Sequence, residues 1–232
     1  IARMAKEVLT AGARAVRICG TENIHATREL NPDAIITGIT KSQYSDGRVL
    51  ITPDLESIEN IVKAVERGDY CVENWTRLGA EINGEKIPPA VSEYVIAEER
   101  MKLMSNYIIE TGGKKERQKS SGILVVPGAG STGWYRSEYV DVHDKDDTFP
   151  KTSKMFKYFV MAPTRGRKYC GYSLLEGSLG EGEELKVYSL FNNNGLVMPD
   201  SFEDIDFSRG KTVTIRLSDK PLKVVKLKRY EI

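Results

Sequence analysis

The spacing of apolar positions changes near Gly68. Before it, Ile1, Met4, Ala5, Val8 and Leu9 recur at helical spacing, with Gly12 placed to stop the helix. Residues 15–18 predict a short strand, followed by the polar turn Gly20-Thr21-Glu22-Asn23. Residues 24–30 predict a helix ended by Asn31-Pro32, and the β-branched run 33–39 predicts a buried strand. Thr52 can cap a helix that has Pro53 at its first position. Leu55, Ile58, Ile61, Val62 and Val65 give that helix one apolar face, and Gly68 ends it. Strand and helix in alternation predict a layered α/β unit.

Past Gly68 the helical period gives way to short strands separated by turn residues. The pattern predicts strands over 70–82, 91–98, 106–111, 122–126, 156–161, 172–175, 185–190, 212–217 and 222–227. Thr111-Gly112-Gly113 reads as a hairpin tip, and the charged run 114–119 beside it as a solvated hairpin end. Residues 140–152, dense in Asp and Lys, read as a loop. The expected architecture is an α/β lobe over 1–88 and a β-rich, sandwich-like lobe over 89–232, with the last strands candidates to return to the first lobe.

Composition narrows the function classes. A net charge of +1 over 232 residues gives no electrostatic case for nucleic acid or an anionic membrane. No apolar run approaches the roughly 20 residues needed to span a bilayer. Cys19, Cys71 and Cys170 are far apart and odd in number, which fits a reducing cytoplasm better than a disulfide framework. With His25 and His143 the only histidines, a His-based metal site or triad is a poor fit. Asp141, Asp144, Asp146 and Asp147 lack the glycine and closing Glu of a Ca²⁺ loop.

Two local patterns carry candidate chemistry. Gly128-Ala129-Gly130-Ser131-Thr132-Gly133 follows a predicted strand and matches GxGxxG, but in β-rich surroundings rather than a βαβ unit, and no Walker lysine follows. It reads either as a plain turn or as a place where backbone approaches a ligand, with Ser131 and Thr132 supplying hydroxyls. The second is Gly20-Thr21-Glu22-Asn23, at the carboxyl end of a strand, where Glu22 could accept a proton from a hydroxyl attacking a phosphoryl group.

Together these pieces resemble the NAD kinase family. Ser120-Ser121-Gly122 followed by Gly130-Ser131-Thr132-Gly133-Trp134 is similar to the branch of that family carrying SSG and GSTGW. Gly20 to Asn23 falls where the family has a Gly-Gly-Asp turn, Ser92-Glu93 where it has an Asn-Glu pair, and Gly47 with Arg48 after its second conserved strand. Asp200 falls at its late Asp-Gly.

The resemblance implies that NAD is phosphorylated on its adenosine-ribose 2′-hydroxyl by ATP with Mg²⁺, or by polyphosphate, in a homodimer or homotetramer. By position, Glu22 would be the catalytic carboxylate. Gly20, Thr21, Asn23, Gly47, Arg48, Ser92, Glu93, Ser121, Gly130, Ser131, Thr132, Gly133, Trp134, Ser137 and Asp200 would bind substrate. Glu22 for Asp, Thr21 for Gly and Ser92 for Asn depart from the pattern. They keep two alternatives open: an NAD or NADP sensor without turnover, and a related kinase acting on a lipid or sugar.

Overall fold

The run Gly122–Pro127 is apolar without alternation, and the computed structural model shows why: both faces of this strand are buried. The structure describes residues 66–100, 103–192 and 194–227, together with the backbone of three short strands at 15–17, 35–37 and 48–50. The chain divides into two compact units, residues 1–74 with 222–232, and residues 75–221.

In the first unit, β1 (Ala15–Arg17) pairs in parallel with β2 (Ile35–Thr37). Strand β3 (Arg48–Leu50) lies in a second, three-stranded sheet, and β4 (Tyr70–Trp75) begins in this unit. Glu66 and Arg67 are helical and end at Gly68, whose φ of +74° suits the stop that the sequence places there. The predicted helices over the earlier residues lie outside the described residues.

The second unit is a sandwich of two six-stranded antiparallel sheets. Its strands are β5 (Leu78–Ile82), β6 (Glu85–Ala90), β7 (Tyr94–Glu98), β8 (Ser105–Thr111), β9 (Lys114–Ser120), β10 (Gly122–Pro127), β11 (Met155–Met161), β12 (Glu176–Gly180), β13 (Leu185–Ser189), β14 (Gly195–Pro199), β15 (Ile205–Asp206) and β16 (Thr212–Leu217). One sheet has the order β12-β11-β10-β7-β14-β15 and the other β6-β5-β16-β13-β8-β9. The last strand, β17 (Leu222–Leu227), belongs to the first unit, between β3 and β4. It runs parallel to β3, and Lys226 reaches Glu73 of β4 at 2.7 Å.

Inward side chains of both sheets form one core, including Tyr94, Ile96, Tyr107, Ile109, Ile123, Val125, Phe156, Val187, Val213 and Ile215. The first sheet has a second buried face, where Val95, Leu124, Val126, Phe159 and Met161 meet Tyr135 and Tyr139 of helix α1 (Trp134–His143). Tyr135 and Tyr139 stand one turn apart, so both point at the sheet, and their rings stack at 5.6 Å.

Several sequence expectations change here. The predicted loop 140–152 begins in fact inside α1, which runs to His143 and stops at Asp144 in a left-handed conformation. A stripe of two aromatic residues in a polar segment is a weak helical signal, and burial supplies the rest. The run 70–82 is two strands. Thr76 gives its N–H to Lys151 O and Arg77 its side chain to Lys220 O, which takes both out of the ladder. Residues 114–119 are a paired strand, joined to β8 through Gly112-Gly113, both with positive φ. Residues 172–175 form no strand, because Glu116 accepts the N–H groups of Ser173 and Leu174. Strand β5 pairs with β16 and with β6 inside the second unit. Among the described residues no helix is long and apolar enough to cross a membrane.

Candidate functional site

Antiparallel register decides which candidates can meet. In the helix-covered sheet, Pro127 ends β10 opposite Phe156 near the start of β11, and Pro199 ends β14 opposite Tyr94 at the start of β7. Four connections therefore converge on one end of the sheet: 91–93, 128–133, 149–154 and 200–204. Ser92, Glu93, Gly130, Ser131 and Asp200 share that end. Ser121 lies at the opposite end of β10, about 20 Å away for six strand residues.

The Gly-rich turn sits on neighbouring backbone. A Cβ on Gly130 would overlap the carbonyl of Ser92, and one on Gly128 the carbonyl of Pro150. Each glycine is thus required by a chain crossing it, which answers the question its sequence left open. Ser131 is fully buried and donates to Gly128 O at 2.8 Å, while accepting from Phe149 N–H at 3.1 Å. Its hydroxyl ties the turn to the 149–154 connection and does not face solvent. Thr132, Gly133, Trp134 and Ser137 are exposed beyond it. Trp134 is 44 % exposed and donates to Glu138 at 3.0 Å. Helix α1 opens here with no side-chain cap and no acidic residue in its first turn, and its Arg136 N–H donates to Gly133 O at 3.1 Å.

Ser92 and Glu93 lie in the bend before β7. The carboxylate of Asp200 accepts the N–H groups of Val91, Ser92 and Glu93 at 3.0, 2.7 and 3.1 Å. Burial pushes the Asp200 carboxyl above its ordinary value, the three N–H groups oppose that, and the charge of Glu93 adds to it. Ser201 Oγ donates to Glu93 Oε1 at 3.2 Å. Tyr94 is raised by burial and then by Asp200, and its hydroxyl donates to Pro88 O at 2.6 Å.

Sequence reasoning missed Arg77, Lys151 and Ser201. Arg77 is 4 % exposed and its charge acts on Tyr94. Lys151 lies 4.2 Å above the Trp75 ring. Arg77 and Lys151 had no local signal, since each acquires its place through contacts distant in sequence, and Ser201 stands beside Asp200 where the family pattern has a glycine. Gly20, Thr21, Glu22, Asn23 and Gly47 lie outside the described residues, and for Arg48 only the backbone is described.

With this geometry in hand, the comparisons with known proteins separate the chain into two signals. In fold, it is similar to an NAD kinase from Archaeoglobus fulgidus solved in complex with ATP. That likeness has a TM-score of 0.59 at 18 % identity, covering 94 % of this chain and 79 % of that one. The likeness is one of fold. Residues 1–67 instead match the family described as "Putative N-acetylmannosamine-6-phosphate epimerase". A relative of nearly the same description ("2-epimerase"), from Proteus mirabilis (strain HI4320), is 47 % identical over 64 residues. That stretch is 28 % of this chain and spans only 27 % of the relative's length. The epimerase match includes Gly20 to Asn23, so the kinase resemblance of that turn is not what the family model detects.

Proposed function

We propose that the chain is a nucleotide-binding phosphotransferase of the NAD kinase type, with NAD held at the end of the helix-covered sheet. The observation that carries this is the convergence of Ser92-Glu93, the Gly130 turn and the uncapped start of α1 at one edge, on a kinase-like fold. Glu93 and Ser92 offer an acceptor and a hydroxyl to ribose, and the exposed residues Thr132, Gly133, Trp134 and Ser137 at the start of α1 stand where the pyrophosphate would lie. Trp134 gives an exposed aromatic face beside them.

In the reaction, the 2′-hydroxyl oxygen attacks the γ-phosphorus of ATP, the bond from that phosphorus to the β-bridging oxygen breaks, and ADP leaves. Glu22 takes the hydroxyl proton. Mg²⁺ would neutralise the donor phosphates and travel with them.

A second reading, binding without transfer, is motivated by the departures from the kinase pattern at Thr21, Glu22 and Ser92. One assay separates the two: protein with NAD, ATP and Mg²⁺, followed for NADP, beside calorimetric titration with NAD alone. Formation of NADP that disappears in Glu22→Ala supports transfer, and NAD binding with no product supports the second reading. An arm with N-acetylmannosamine in place of NAD tests a sugar acceptor. Absence of both binding and product refutes the nucleotide assignment.

A further inference from the structure

Ser92 and Glu93 lie outside any strand, so no ladder fixes the backbone that would present them. We propose that Asp200 is a positioning residue: its carboxylate fixes the turn 91–93 so that Ser92 and Glu93 face the nucleotide, and it touches no ligand itself. The proposal deepens the nucleotide reading above and rests on it.

The geometry ties Asp200 to the turn 91–93. Its side chain is fully buried. Oδ1 accepts three consecutive N–H groups, from Val91, Ser92 and Glu93, and Oδ2 accepts Val91 again at 3.2 Å. Three N–H donors on one oxygen use up its acceptor capacity, and a buried carboxylate needs such donors to remain charged. The contact is reciprocated: Asp200 N–H donates to Glu93 O at 2.8 Å. To make both ends meet, Asp200 and Ser201 adopt φ of +50° and +56°, two successive non-glycine residues in the left-handed region. On its other side the turn is pressed against Gly130, whose missing Cβ makes room for the Ser92 carbonyl. The bend is therefore clamped between Asp200 and the Gly-rich turn, and a shift at either displaces Ser92 and Glu93. A direct ligand contact, which the family resemblance assigns to Asp200, does not fit a carboxylate so enclosed.

The test uses the full chain as Asp200→Ala and Asp200→Asn, with amide hydrogen exchange on the free protein and calorimetric titration with NAD. In Asp200→Ala the amides of residues 91–93 should exchange faster, and NAD affinity should fall about 10-fold, the scale of one lost hydrogen bond to a charged group. Asp200→Asn keeps an acceptor but turns an N–H toward Val91, so it should fall between Asp200→Ala and wild type. If Asp200→Ala does not fold, the Asn variant carries both measurements. Unchanged NAD affinity overturns the proposal. Weakened affinity with unchanged exchange at 91–93 also overturns it, since that marks a direct contact. Failure of the wild-type chain to bind NAD removes the nucleotide reading, while the exchange arm still decides whether Asp200 holds the turn.

Discussion

The two sheets of the second unit share one core but differ in what lies on their outer faces. On the β10 sheet, α1 buries the outer face, and the strands read as apolar runs: Gly122–Pro127 and Tyr94–Glu98 are buried at every position. On the β13 sheet the outer positions Glu81, Lys186, Tyr188, Thr214 and Arg216 are half-buried, so Leu185–Ser189 alternates strictly. Ion pairs lie along that face, among them Arg216 with Glu81 at 2.8 Å and Lys186 with Glu184 at 3.2 Å. Of the two, the β10 sheet is the one packed on both faces. The candidate site sits at the end of that sheet.

Substitutions can break this contrast, and the largest effect is expected where α1 meets its sheet. Phe159, 1 % exposed and edge-on to Tyr135 at 6.1 Å, should cost about 4 kcal/mol as Phe159→Ala. Tyr188→Ala on the open face should cost much less, and equal losses in urea midpoints would erase the distinction. Gly130→Ala should destabilise by about 3 kcal/mol, because a methyl group there meets backbone rather than a movable side chain. A stable Gly130→Ala would mean that the turn does not press on Ser92.

Next comes the Asp147 contact beneath α1. Burial pushes the Asp147 carboxyl up, but hydrogen bonds from Lys157 and Tyr135 outweigh it and hold the group below the usual carboxylate value. Its bonds are 2.7 Å to Lys157 and 2.6 Å to Tyr135. A lowered folded value gives stability that is present above the unfolded value and lost as pH falls through the folded one. Asp147→Asn should therefore destabilise at about pH 7 by about 1 kcal/mol and have little effect near pH 2. A difference independent of pH would contradict this. The smallest effect belongs to the open face, where Arg216→Ala should cost about 0.5 kcal/mol and less in high salt. Thermal melts at two salt concentrations would show it.

The same contrast explains what the sequence made legible. Alternation found β13 and β16 because one face is wet, and the unbroken run found β10 because neither is. Gly112-Gly113 announced its hairpin through a conformation only the turn requires. The helix was missed because its signal is two tyrosines, and β9 because an edge strand of Lys and Arg has poor intrinsic propensity and forms by pairing with β8. At the site, the glycines were visible but their cause was not. They make room for Ser92 and Pro150, residues that no local pattern connects to them. Asp200 was selected by resemblance as a ligand contact, and its burial and its bonds to the N–H groups of residues 91–93 had no signal in the sequence.

The central claim is that a dinucleotide occupies the end of the helix-covered sheet. A crystal structure of the chain grown with NAD tests it most directly. The account predicts the ligand against Ser92, Glu93 and residues 130–137, with Asp200 still enclosed by the N–H groups of 91–93. NAD bound at the Ser121 end of β10, or in contact with Asp200, would contradict it.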